Sequence, residues 1–229
     1  MAFTGVAFTG VAFTGVPPAV LDFYARLEAD NSKAFWEANK AVYRDEVKAS
    51  VQALCDELAE YGPFHLFRPY NDVRFAKNRP PYKTQQGAYG EGEGGAGFYF
   101  HVSREGLMAA AGYYAMMRDQ LERFRDAVDA TNTGEEIAGI VAGLAKRYRI
   151  GAIDELKTAP KGYPKDHPRI DLLRRKGLIM SIEFGAPKWL HTKQAAAKLR
   201  EVWRAAEPMN AWLDAYVGPT TMEPEGRFG

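Results

Sequence analysis

The spacing of apolar residues changes character twice along these 229 residues. Near the start, Val20, Leu21, Tyr24 and Leu27 recur at helical intervals. Phe35, Val42, Val47, Val51, Leu54, Leu58 and Tyr61 continue them over a longer run. In the middle, residues 97–103 and 107–114 read as two strands of a hairpin, separated by Arg104-Glu105-Gly106. Helical spacing then returns at Met117, Leu121, Phe124 and Val128, at Ile137, Ile140, Val141 and Leu144, and at Leu199, Val202, Trp203, Trp212, Leu213 and Tyr216. Helices at both ends with strands between them predict an α+β chain, a single domain with an antiparallel sheet flanked by helices.

Local signals set the expected boundaries. Pro17-Pro18 opens the first helix. Asp30-Asn31-Ser32 breaks the chain and caps the next, which stops at Gly62-Pro63. Phe64 and Leu66, then Val73 and Phe75, alternate as strand residues do. The glycine-rich, acidic stretch 88–96 reads as a loop. Thr133-Gly134-Glu135-Glu136 has the form of a capping box ahead of Ile137. Residues 177–184 alternate loosely and add a strand, and Pro208 kinks or breaks the terminal helix.

Ala-Phe-Thr-Gly-Val occurs three times in tandem, at 2–6, 7–11 and 12–16. A period of five fits neither strand nor helix. Residues 1–16 are therefore read as a poorly ordered leader and 17–229 as the folded domain, with residues 2–11 dispensable for folding. The alternative is an arm that docks on a neighbour.

With 46% hydrophobic and 26% charged residues the chain is globular in composition. One cysteine, Cys55, excludes an internal disulfide and is read as a small core residue. It favours a reducing, cytoplasmic setting. No apolar run approaches the ~18 residues of a membrane span, and the N-terminus lacks the form of a signal peptide.

The net charge is +1, but its distribution is uneven. Residues 64–84 hold Arg68, Arg74, Lys77, Arg79 and Lys83 against Asp72. Residues 157–176 hold seven cations against two acids. Two basic islands in an acidic remainder suggest one local field that holds an anion, and hence that the islands meet in space. The other reading is a pair of solvated basic loops. Arg74, expected on a strand face opposite Val73 and Phe75, should meet an anionic partner, either a carboxylate of this chain or an external ligand.

Other motifs fail on context. Residues 92–97 satisfy G-x-G-x-x-G, but they precede a strand instead of opening a helix, and Glu91 and Glu93 would repel a phosphate. Glu155-Leu156-Lys157 resembles a metal-dependent nuclease fragment, without the strand placement that chemistry requires. His65, His101, His167 and His191 show no metal spacing, so no metal and no cofactor is expected. Asp166 and His167, being adjacent, are not read as a dyad.

Four blocks in order carry a family resemblance. Asp72-Val73-Arg74-Phe75-Ala76-Lys77, followed by Pro81-Tyr82-Lys83-Thr84, resembles the central signature of the DUF2461 family. Asn31–Asn39 is similar to that family's N-terminal helix start, with Phe35 and Trp36 in exchanged order. Residues 97–103 resemble its aromatic strand, and Asp166-His167-Pro168-Arg169 with Leu172-Leu173-Arg174-Arg175-Lys176 its later block. The resemblance spans about residues 13–217 and implies a bacterial-type, soluble α+β domain, and no reaction.

Three functions stay open from sequence. The first is an anion-binding module built from Arg74, Lys77, Tyr82, Lys83, Arg169 and Lys176. The second is an enzyme on the same pocket with His101 or His167 as acid/base. The third is a protein-interaction domain. Nucleic acid is disfavoured by the near-neutral charge.

Overall fold

A computed structural model describes residues 12–72, 79–92 and 95–222. Helices α1 (Pro18–Ala29) and α2 (Lys33–Val42) are followed by a π turn (Tyr43–Lys48), α3 (Ala49–Glu57) and a 3₁₀ turn (Ala59–Tyr61). Strands β1 (Phe64–Leu66), β2 (Gln85–Glu91), β3 (Gly97–Ser103) and β4 (Gly106–Tyr113) come next. They lead into α4 (Arg118–Asp129) and α5 (Thr131–Leu144). After β5 (Arg149–Gly151), α6 (Ile170–Leu173) and β6 (Leu178–Gly185), a second 3₁₀ turn (Lys188–His191) opens onto α7 (Gln194–Tyr216). The six strands form one antiparallel sheet in the order β1-β2-β3-β4-β6-β5, so the fold is α+β as the periodicities predict.

The chain clusters into two compact units. One comprises residues 1–88, 101–107 and 185–198, the other 89–100, 108–184 and 199–229. In the first, α1 buries Val20, Phe23, Tyr24 and Leu27. The Phe23 ring lies 6.2 Å from Trp36 and 6.0 Å from Tyr43. The run from Lys33 to Glu57 is helical throughout, as the spacing implies. It widens into a π turn at Tyr43–Lys48, which keeps Tyr43 and Val47 buried. Cys55 is buried, and burial pushes its thiol up to about 12, which suits a core residue.

In the second unit, the Trp203 indole packs 5.5 Å from Phe98 and donates from Nε1 to the Ala110 carbonyl at 3.1 Å. Trp212 meets Phe124 edge-on and donates to the Thr133 carbonyl. Tyr113 donates from its hydroxyl to Asp214 at 2.8 Å. Each buried aromatic polar atom here has a partner, which holds α7 and its neighbours in one register.

Three local expectations are corrected. The stretch 88–96 is not a loop throughout, because β2 continues to Glu91. Its small residues are what let it pack: Gly87, Ala88 and Gly90 are buried, and the Tyr89 ring covers Gly97, where a Cβ would collide with it. Thr133 does not cap α5. That helix starts at Thr131, and the Thr133 hydroxyl instead donates to the Ala127 carbonyl. The helix α7 does not break at Pro208 but runs on through it. The expected alternation at Val73 and Phe75 lies outside the described residues.

The β3–β4 turn depends on Gly106, whose φ is +107°. A Cβ there would overlap the Gly185 carbonyl, whereas Gly162 (φ +96°) faces open space. Gly162→Ala should cost about 1–2 kcal/mol from backbone strain alone. Gly106→Ala should cost clearly more, because the backbone must also move. Urea midpoints of the two variants check the difference.

Candidate functional site

Two described arms of the first basic island pair as a neck. Tyr70 and Tyr82 form an antiparallel bridge. The Lys83 amide donates to the Pro69 carbonyl at 2.7 Å and the Asn71 amide to the Pro81 carbonyl at 2.9 Å. The Asn71 side chain adds a bond to the Pro80 carbonyl. Two prolines on the return arm cannot donate, so this pairing uses the carbonyls they offer.

Asn31 locks the neck to the start of α2. Its Nδ2 donates to the Tyr82 carbonyl and its Oδ1 accepts from the Tyr82 amide, both at 3.0 Å. Ser32 caps α2 by accepting from the Phe35 amide, as its sequence position predicts. The cap and the clamp therefore sit on consecutive residues.

Above α2, the Trp36 indole stacks on Tyr82 with ring centres 4.4 Å apart and planes 9° off parallel. Tyr43 at 4.8 Å and Tyr70 at 5.7 Å complete the cluster. The Tyr43 hydroxyl donates to the buried Gln86, which itself donates to the Phe67 carbonyl. Trp36 Nε1 is buried and has no hydrogen-bond partner among the described residues, an uncompensated donor of the sort that costs roughly 1–3 kcal/mol.

Lys83 is a cation that this scaffold holds. Its ammonium sits 5.3 Å from the centre of the Phe67 ring. Burial, then the nearby Arg68 and Arg79, pull it below the ordinary lysine value. Tyr82 and Lys83 of the expected set thus belong to this neck. Arg74 and Lys77 lie outside the described residues.

Arg169 and Lys176 belong to the other unit, and each is engaged by this chain. The Arg169 guanidinium donates to the carbonyls of Val128 at 2.7 Å and Asp129 at 2.8 Å, and more weakly to Ala130. These are end-of-helix carbonyls of α4, where a cation is favourable twice over. Gly134 makes room, since a Cβ there would strike Val128 O and the guanidinium. Lys176 pairs with Asp154 at 2.5 Å. The segment 154–156 pairs with 174–176 through Leu156 N to Arg174 O and Lys176 N to Asp154 O, so the Glu155-Leu156-Lys157 fragment is part of a backbone staple.

The two histidine candidates differ. His167 is buried, and its Nδ1 accepts from the Arg169 amide at 3.0 Å. The hydrogen therefore sits on Nε2, which lies 3.1 Å from Asp129 Oδ1. Asp129, not the adjacent Asp166, is the carboxylate this ring meets, a pairing that sequence spacing could not reveal. His101 is largely buried, and burial lowers it to about 4, with Glu105 opposing the shift.

Among the described residues no group of three His, Cys, Asp or Glu side chains comes together as a metal cluster would need, and no helix is long and apolar enough to cross a membrane. A shallow groove between α1 and the π turn carries Asp22, Arg26 and Glu46 and includes no residue of the basic neck.

The chain matches the family model described as a conserved hypothetical protein, DUF2461, over residues 19–212. It belongs to that family, which covers most of its length, and the blocks read from sequence fall within the match. No curated protein matches the chain, and no solved structure does.

His101 gives a pH test. Its folded-state value near 4 lies below the ordinary 6.5, so the folded chain resists its protonation. The associated stability is complete above about pH 6.5 and is lost as pH falls toward 4, up to roughly 3 kcal/mol. His101→Gln should lose that dependence. Wild type should lose stability relative to the variant by roughly 2 kcal/mol between pH 6.5 and 4.5, read as urea midpoints, and parallel curves would contradict the assignment.

Proposed function

We propose that the neck of the basic loop binds an anionic, phosphate- or carboxylate-bearing small ligand. The observation that carries this reading is Lys83, held against the Phe67 ring with Arg68 and Arg79 in its field, beside a neck fixed by Asn31, the Tyr70–Tyr82 bridge and the Trp36 stack. Like charges held together on a rigid support repel, and an anion between them relieves the repulsion. Arg74 and Lys77, which lie in sequence between the two arms of the neck, would add their charge to the same field. Arg169 and Lys176, each already bonded within its own chain, have a weaker claim as ligand residues.

Binding is favoured over acid–base catalysis by the state of the two histidines. The lowered value of His101 makes it a weak base and keeps it neutral at pH 7, while both ring nitrogens of His167 are occupied. The lone buried thiol accords with a reducing, cytoplasmic setting.

A thermal-shift titration tests the proposal. Inorganic phosphate or a dicarboxylate should raise the midpoint of wild type in proportion to the logarithm of concentration above its dissociation constant. Lys83→Ala should leave the empty protein at least as stable, because it removes a crowded cation, and should abolish most of the anion shift. A destabilised variant, or a wild type that no anion shifts, would overturn the reading.

A further inference from the structure

The third copy of the leader motif is packed into the fold. Phe13 and Val16 are buried, at 3% and 0% exposure, whereas Ala12 and Thr14 are exposed. The Val16 amide donates to the Leu190 carbonyl at 3.0 Å. The Val16 carbonyl accepts from His191 Nδ1 at 2.7 Å. Gly15 has φ +133°, and a Cβ there would overlap the backbone of His191. This seat beside the second 3₁₀ turn therefore reads a pattern: an apolar ring, one free position, a glycine, then a β-branched residue with a paired backbone.

Residues 2–6 and 7–11 carry that same pattern, side chain for side chain. The seat has one place and the chain holds three equivalent ligands for it. We infer that the Leu190–His191 seat is a binding site for a Phe-x-Gly-Val segment, and that residues 7–11 of the same chain occupy it when residues 12–16 cannot. In the native register residues 12–16 win because they are joined directly to Pro17 and α1. A shift by one copy leaves five residues to loop out between the seat and Pro17, and closing so short a loop costs little against the burial regained. A second chain would have to supply the segment at micromolar concentration, against the millimolar effective concentration of a short tether.

Three full-length chains test this: Gly15→Val, Gly5→Val/Gly10→Val, and the triple variant. Gly15→Val disables only the seated copy, so residues 7–11 should replace it and hold the thermal midpoint within about 2 °C of wild type. Gly5→Val/Gly10→Val should match wild type. The triple variant should lose about 5 °C or more, and a synthetic Ala-Phe-Thr-Gly-Val peptide should restore part of that loss. Hydrogen exchange supplies the direct readout: in Gly15→Val the Val11 amide should become protected in place of Val16. Gly15→Val and the triple variant behaving alike would overturn the inference, whether both fall or both match wild type. A Gly15→Val midpoint that rises with protein concentration between 1 and 100 μM would assign the seat to a second chain's leader and overturn the same-chain occupant.

Discussion

The side-chain amide of Asn31 makes the two hydrogen bonds to Tyr82 that a neighbouring strand would otherwise make. It does so from the residue just before the cap of α2, so the start of a helix and the Tyr82 arm of the neck become one unit. Trp36, one turn further along, lies flat on the Tyr82 ring. Backbone pairing on one side and ring stacking on the other leave Tyr82 little freedom, and Lys83 inherits that rigidity. Without it, Lys83 could swing away from Arg68 and Arg79 into water, and the cations would be ordinary surface charges. The clamp is what turns a basic sequence into a held cluster.

Charged and polar groups elsewhere are spent on structure. Arg169 and His167 close the end of α4, and Lys176 and Asp154 reinforce the pairing of 154–156 with 174–176. The second basic island is thus engaged within its own chain. A guanidinium sharing two strong bonds with helix-end carbonyls has fewer donors left for a ligand.

Much of the fold was legible because its signals are local. The Arg104-Glu105-Gly106 turn announces the β3–β4 hairpin, Gly62-Pro63 ends the helical run, and Ser32 caps α2 where it should. What escaped depends on partners distant in sequence. The end of β2 looks like a loop because glycine has low strand propensity, yet Gly87, Ala88 and Gly90 are buried in it, and the Tyr89 ring covers Gly97 on β3, where a Cβ would collide with it. Thr133 has the composition of a cap, but its hydroxyl finds Ala127, six residues back, and α5 has already begun. The period of five in residues 1–16 reads as a poorly ordered leader, yet Phe13 and Val16 of its last copy are buried, with Val16 bonded to Leu190 and His191 more than 170 residues on. At the site, Tyr82 and Lys83 stood out by residue type. The Asn31 clamp and the Trp36 stack did not, because an Asn before a helix cap and a Trp on an apolar face have ordinary explanations.

Lys83 is a partly desolvated cation in the field of Arg68 and Arg79, and the proposed anion would relieve it. Following the titration of its side chain by NMR, through the shift of the carbon next to the ammonium, measures this directly. The account predicts a Lys83 value below that of the other lysines in the free protein, moving up toward the ordinary range when phosphate is added. An ordinary value that phosphate leaves unchanged would contradict it.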